Sequence, residues 1–369
     1  MASGASFPRG SQFPAELIDS VIDHNHADPA TLKICALVAK QWMPSSRLHL
    51  FSSVFINHGN AREFIDLLAS PLCTVALAIR KLVVELVPGS QRWLGEFIRR
   101  LSLLDKTTNL VGLEISGAPG TLVRQEAQTA LSTLSGQIKS LSFGPVVFET
   151  FLVFGQLLCS FRGLESLSCA CIFQVQTIDP AGIQLIRLQL TGTLRQVKLA
   201  SPATKPIIEY LLRQGAAGGS AVLPTIANLS LSYLSVDDYP PLTTYLGTPN
   251  DNLQSLTIRM DNNFSGANLD ALADNLQLTH LQALVNLTIQ TLPLLSPDQT
   301  FRLLARITSQ QFSNLKISVA LVQGVAGLDM LLSGNHFPAL QKVIVVGPSW
   351  GDIRQFLPRC DVKGILREN

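Results

Sequence analysis

Leu284-Val285-Asn286-Leu287-Thr288-Ile289-Gln290 carries the pattern that decides the fold, with apolar residues at Leu284, Leu287 and Ile289. Leu287 and Ile289 are two apart and share one face of a strand, while Thr288 and Gln290 face the other way. The same apolar-x-x-apolar-x-apolar spacing lies upstream at Leu253-Leu256-Ile258, Ile226-Leu229-Leu231, Leu194-Val197-Leu199 and Leu164-Leu167-Cys169. It continues back through Ile138-Leu141-Phe143, Leu110-Leu113-Ile115 and Ile79-Leu82-Val84, and forward to Phe312-Leu315-Ile317 and Leu340-Val343-Val345. The middle residues of these ten motifs run from 82 to 343 in nine steps, a mean of 29 residues. A short strand with one apolar face cannot bury that face alone. Stacked beside equivalent neighbours, it forms a continuous parallel sheet over a continuous core.

The segments between the motifs have helical spacing. Trp93, Phe97, Leu101 and Leu104 line one face, with Glu96, Arg99 and Arg100 opposite. Phe301, Leu304 and Ile307 follow Ser296-Pro297-Asp298-Gln299, which reads as serine N-cap, first-position proline and capping-box glutamine. Asp179-Pro180 and Pro206 read as further helix openings. Parallel strands require crossovers, which places the helices on the outer, convex side. The expected fold class is therefore α/β: a right-handed solenoid of about ten repeats with parallel strands over residues 76–369. It closes with Asp352 to Leu357 and Gly364-Ile365-Leu366. Unit and period resemble the longer leucine-rich repeats. That family places asparagine or cysteine three residues after the last strand leucine. Here Ala118, Asp261 and Leu292 stand there, so the array resembles the irregular repeats of intracellular adaptor proteins.

Composition bounds the function. Of 369 residues 47% are hydrophobic and 15% charged, enough to bury a large core, and the net charge of +2 supplies no field for holding phosphate backbones. Nucleic acid is therefore not an expected partner. Val146 to Phe161, the most apolar window, is broken by Glu149 and Gln156, so no membrane span is expected. The opening MASGASFPRGSQ lacks the apolar core of a secretory signal. Six cysteines at irregular spacing then read as buried thiols of a reducing compartment, and the N-x-[ST] sites at Asn228, Asn263 and Asn286 stay unmodified. A soluble cytoplasmic or nuclear protein is expected.

Residues 12–55 fall outside the repeat register; residues 1–11 are expected to be disordered and 56–75 to form a linker helix near Ala61 to Leu68. Pro14 and Glu16 open an apolar helical stretch through Leu17, Ile18, Val21 and Ile22. The loop from His24 to Asp28 leads to Pro29 and a second helix with Leu32, Cys35, Leu37 and Val38. Trp42 follows, and Pro44-Ser45-Ser46 opens a third helix towards Phe51. Three short helices in about 40 residues form too small a core to stand alone. By physics alone they are a cap on the end of the solenoid.

The run Phe13-Pro14-x-Glu16-Leu17-Ile18 nevertheless resembles the opening of the F-box, and Leu37-Val38-Ala39-Lys40-Gln41-Trp42 resembles a second F-box segment. With His49-Leu50-Phe51, the stretch is similar to the F-box-like proteins of mushroom-forming fungi. Phe13 and Ala39 replace the usual leucine and cysteine, and the first loop is about two residues longer. An F-box followed by leucine-rich repeats is a standard arrangement of that family. The resemblance implies the substrate-recognition subunit of a Skp-cullin-F-box type ubiquitin ligase. Its N-terminal helices dock on a Skp-type adaptor, linked in turn to a cullin and a RING subunit, and its repeats hold a client protein. Such a subunit is not itself an enzyme; it raises the local concentration of client lysines. The adaptor-binding residues it implies are Pro14, Glu16, Leu17, Ile18, Val21, Leu32, Val38 and Trp42, some of which must be internal core. A non-catalytic repeat scaffold whose first helices only cap the solenoid is the alternative.

The other constellations have plain readings. His24, His26, His49 and His58 match no ligand spacing, and Cys169-Ala170-Cys171 reads as packed thiols on a strand. The loop Gly215–Ser220 lacks the lysine and hydroxyl of a phosphate loop. Asp237-Asp238 and Asp261 read as solvated turn residues. No catalytic, metal or cofactor site is expected. Client contacts are expected from outward strand positions such as Arg80, Glu114, Arg259 and Gln290. Tyr233, Tyr239 and Tyr245 read either as an anchor patch or as packing.

Overall fold

The computed structural model describes residues 14–87, 92–103, 109–118, 120–175, 192–216, 225–260, 266–292, 294–320 and 325–368. The N-terminal stretch expected to be disordered, Leu104, the Asp179-Pro180 helix opening, Asp261 and most of the glycine-rich loop lie outside them.

The apolar repeat has become one parallel sheet. Its strands include β1 (Ser53–Ile56), β2 (Lys81–Leu86), β3 (Gly112–Gly117), β5 (Ser140–Phe143) and β7 (Ser166–Cys169). Then come β9 (Gln196–Ala200), β10 (Asn228–Leu234), β11 (Ser255–Met260), β12 (Asn286–Gln290), β13 (Asn314–Ser318) and β14 (Lys342–Val346), eleven strands in that spatial order. The motif residues stand in strict register. Leu82 pairs with Leu113, Leu113 with Leu141, and Leu141 with Leu167. The row continues through Val197, Leu229, Leu256, Leu287 and Leu315 to Val343. All ten are buried. The α/β solenoid with parallel strands is thus the fold.

The eleventh strand, β1, corrects the expected beginning of the repeats. Val54 pairs with Leu82 and Ile56 with Val84. The helix expected as a linker (Ala61–Ala69) sinks Ile65 and Leu68 into the same core, as the helix of the first repeat. Phe51, Val54 and Ile56 carry the repeat spacing, but they follow the third N-terminal helix so closely that their register merges with it. The sheet therefore begins within the segment assigned to residues 12–55, well before residue 76.

A second, three-stranded parallel sheet, β4 (Thr121–Leu122), β6 (Val146–Thr150) and β8 (Ile172–Val175), follows the turns after β3, β5 and β7. Phe148, Phe154 and Phe173 meet there with Phe143 and Phe151; Phe148 and Phe154 have ring centroids 4.9 Å apart. Such aromatic contacts add to the area term of burial.

Helix faces follow the expected spacing with two departures. In Arg92–Ser102, Phe97 and Leu101 are buried while Glu96 pairs with Arg99 and Arg100 at 2.8 and 2.7 Å. In Pro297–Leu304 the capping box is present: Ser296 Oγ accepts from the Gln299 amide at 3.2 Å, and Gln299 Oε1 accepts from the Ser296 amide at 2.9 Å. Phe301, however, lies partly exposed, because the buried face of this short helix runs through Thr300, Leu303 and Leu304. Asp238 is the second departure. It is buried rather than solvated, and accepts from the Ser235 amide and hydroxyl and the Lys205 amide, capping two helical starts. At the far end, Asp329, also buried, accepts from the amides of Arg359 and Cys360, both at 3.0 Å. Leu366 bridges back to Val343 beyond them. No helix among the described residues is long and apolar enough to cross a membrane.

Candidate functional site

The N-terminal residues form α1 (Ala15–His24), α2 (Pro29–Val38) and α3 (Met43–Leu50). Asp28 starts α2 by accepting from the amides of Ala30 and Thr31, with Pro29 at the first helical position. Thr31 donates its hydroxyl to the same carboxylate, and these bonds hold the Asp28 carboxyl below its ordinary value. Helices α1 and α3 are tied by Ser45 donating to Asp19 and by His49 Nε2 within 2.7 Å of Asp23 Oδ1. His49 and His26 lie side by side, with ring centroids 6.2 Å apart.

These helices own a core distinct from that of the solenoid. Ile18, Ile22 and Leu32 are buried together, with Trp42 and Leu50 packed against them. At about 1.5–3 kcal/mol for each fully buried aliphatic side chain, this is a thin core for about 40 residues. The opposite sides of α1 and α2 leave large apolar groups in water: Leu17 is 54% exposed, Val21 48%, Ile34 64%, Leu37 86% and Val38 63%. On α2, Ile34, Leu37 and Val38 stand at i, i+3 and i+4, on one face.

The eight adaptor-binding residues implied by the F-box resemblance therefore divide. Pro14, Glu16, Leu17, Val21 and Val38 are exposed, whereas Ile18 and Leu32 are core and Trp42 is half-buried against it. Ile34 and Leu37 join the exposed set unassigned from sequence. The helical spacing from Ile34 to Leu37 was the available signal, but periodicity alone does not say which face meets solvent.

The second candidate surface is the sheet face opposite the core. Arg80 precedes β2 and is exposed, as is Arg259; Glu114 and Gln290 are half-buried there. Lys81 Nζ meets Glu114 at 2.6 Å. These four do not converge, since Arg80 and Glu114 stand at the β2–β3 end while Arg259 and Gln290 are paired neighbours on β11 and β12. The tyrosines also separate. Tyr239 and Tyr245 are buried, and Tyr233 is 67% exposed with φ +55°. Tyr233 falls at a register shift between β10 and β11, where an extra residue interrupts the ladder.

Cys169 and Cys171 are free, buried thiols with sulfurs 3.0 Å apart, and burial pushes the Cys171 thiol well up. Among the described residues no group of three metal-ligating side chains gathers.

No family model matches this chain. No curated protein matches it either. Among solved structures, it is similar to the crystal structure of the Rad7 and Elc1 complex in yeast, with 16% identity and a TM-score of 0.36. The alignment covers 90% of this chain and 88% of that one.

Proposed function

We propose that this protein is the substrate-recognition subunit of a Skp-cullin-F-box type ubiquitin ligase. The α1–α2 face docks a Skp-type adaptor, which brings the cullin and RING subunit, while the open sheet face holds a client protein. The observation that carries the reading is the pairing of a separate core under α1–α3 with exposed apolar side chains on both α1 (Leu17, Val21) and α2 (Ile34, Leu37, Val38). A cap would spend its apolar side chains on the end of the solenoid. Here Ile18, Ile22 and Leu32 pack among themselves instead, and the outward apolar set is of the kind that marks a protein interaction site. The protein's contribution is proximity: client lysines are held near the charged conjugating enzyme, with no bond made or broken by its own side chains.

The test is titration of the full chain with a purified Skp-type adaptor. Saturable binding is expected, with a loss of at least tenfold in Leu17→Asp/Leu37→Asp at unchanged thermal stability. Absence of binding by the parent chain refutes the adaptor half of the reading.

A further inference from the structure

Outward positions from β5 to β14 carry charges of one sign. They present Lys198 on β9, Arg259 on β11, Lys316 on β13 and Lys342 on β14, and no carboxylate. Between and around these cations the side chains are short: Ser142 and Ser168 stand at the register of Lys198, as do Ser230 and Thr257 on its other side. The result is a hollow of about 480 Å³ whose lining includes Ser168, Lys198, Ser230, Tyr233, Thr257 and Arg259. Lys316 already engages a neighbour. Lys198 and Arg259 have no carboxylate partner among the described residues. Tyr233, lifted out of the ladder by its positive φ, presents an exposed ring beside them.

We infer that this hollow binds an acidic peptide segment of the client, with aspartate or glutamate side chains meeting Lys198 and Arg259 and an apolar or proline residue on Tyr233. Charge complementarity selects the occupant: two cations with no carboxylate partner among the described residues face a floor of hydroxyl and amide groups suited to a peptide backbone. Their spacing adds a pattern. Lys198 on β9 and Arg259 on β11 are two strands apart, about 10 Å laterally, with Arg259 two residues beyond Thr257, which shares the register of Lys198 through Ser230. An extended polyproline-type segment crossing the strands returns the same face every third residue, about 9 Å along its axis. Acidic residues at i and i+3, on a segment crossing the strands obliquely, therefore match Lys198 and Arg259. A nucleic acid, with a phosphate on every nucleotide, fits this sparse array less well.

The inference rests on the reading of the repeats as a client surface, and its test needs no adaptor. Fluorescence anisotropy of the full chain is measured with three labelled probes: a peptide with aspartate at every third position separated by prolines and alanines, its asparagine counterpart, and oligo-dT. The aspartate peptide is expected to bind at least tenfold more tightly than the other two, and to weaken as salt is raised. Lys198→Glu and Arg259→Glu should each reduce its affinity at least fivefold, and Lys198→Gln should do so to a smaller extent, at unchanged circular dichroism. Equal binding of the asparagine peptide, tighter binding of oligo-dT, or full affinity in both charge-reversed variants overturns the inference. Adaptor binding is unaffected in every case, so a failure here is separable from a failure of the ligase reading.

Discussion

Leu17 and Ile18 are adjacent on α1 and opposite in environment: Leu17 is 54% exposed, while Ile18 is 3% exposed and packs with Ile22 and Leu32. Ile18→Ala is expected to destabilise the helical module by about 2–4 kcal/mol, because it removes buried methylenes from a core with few others. Leu17→Ala should change stability by less than about 0.5 kcal/mol. Urea unfolding followed by the fluorescence of Trp42 distinguishes the two.

The position of β1 changes where the chain can be cut. Deleting residues 1–50 should leave a folded solenoid, because Ser53–Ile56 still covers the edge of β2 and the Ala61–Ala69 helix still covers its core. Deleting residues 1–60 bares that edge, and aggregation is expected. Size-exclusion chromatography of the two fragments reads the difference.

Phe154 sits at the centre of the aromatic group formed with Phe143, Phe148, Phe151 and Phe173. Phe154→Ala should cost about 3–5 kcal/mol, the range for emptying a packed aromatic site. The expected readout is a lower urea midpoint, with the amides of β6 and β8 losing hydrogen-exchange protection.

Asp270 accepts from Gln299 Nε2 at 3.1 Å and from Arg302 Nη2 at 2.7 Å, and these bonds hold its carboxyl below the ordinary 3.8. A lowered carboxyl stabilises the fold fully above its unfolded value, and that contribution disappears as pH falls through the lower, folded value. The NMR titration midpoint of Asp270 should therefore lie below 3.8. In Arg302→Ala it should move up towards 3.8.

Cys169, Cys171 and Cys360 are buried, and burial raises the thiols of Cys171 and Cys360 away from the reactive thiolate form. All three should resist a thiol reagent in the native protein at neutral pH, and all six cysteines should react in denaturant. Rapid labelling of Cys171 in the folded state would contradict this packing.

The solenoid was legible in the sequence because its determinant is local and repeated. Strand register follows from a period of two, and ten copies at a mean of 29 residues leave one phase in which every leucine is buried. The capping box at Ser296 and Gln299 was legible for the same reason, since its partners lie three residues apart. What only the tertiary structure decided depends on residues distant in sequence. The burial of Asp238 depends on the Lys205 amide, 33 positions away, and that of Asp329 on amides 30 and 31 positions away. Membership of β1 in the sheet depends on pairing across 28 residues with β2. On α1 and α2, the apolar spacing marks residues able to be core, but only the packing of α3 with Trp42 chooses Ile18 and Leu32 for the interior and leaves Leu17, Leu37 and Val38 outside. The period placed the residues on faces; the neighbours that arrived from elsewhere in the chain determined which faces stayed open.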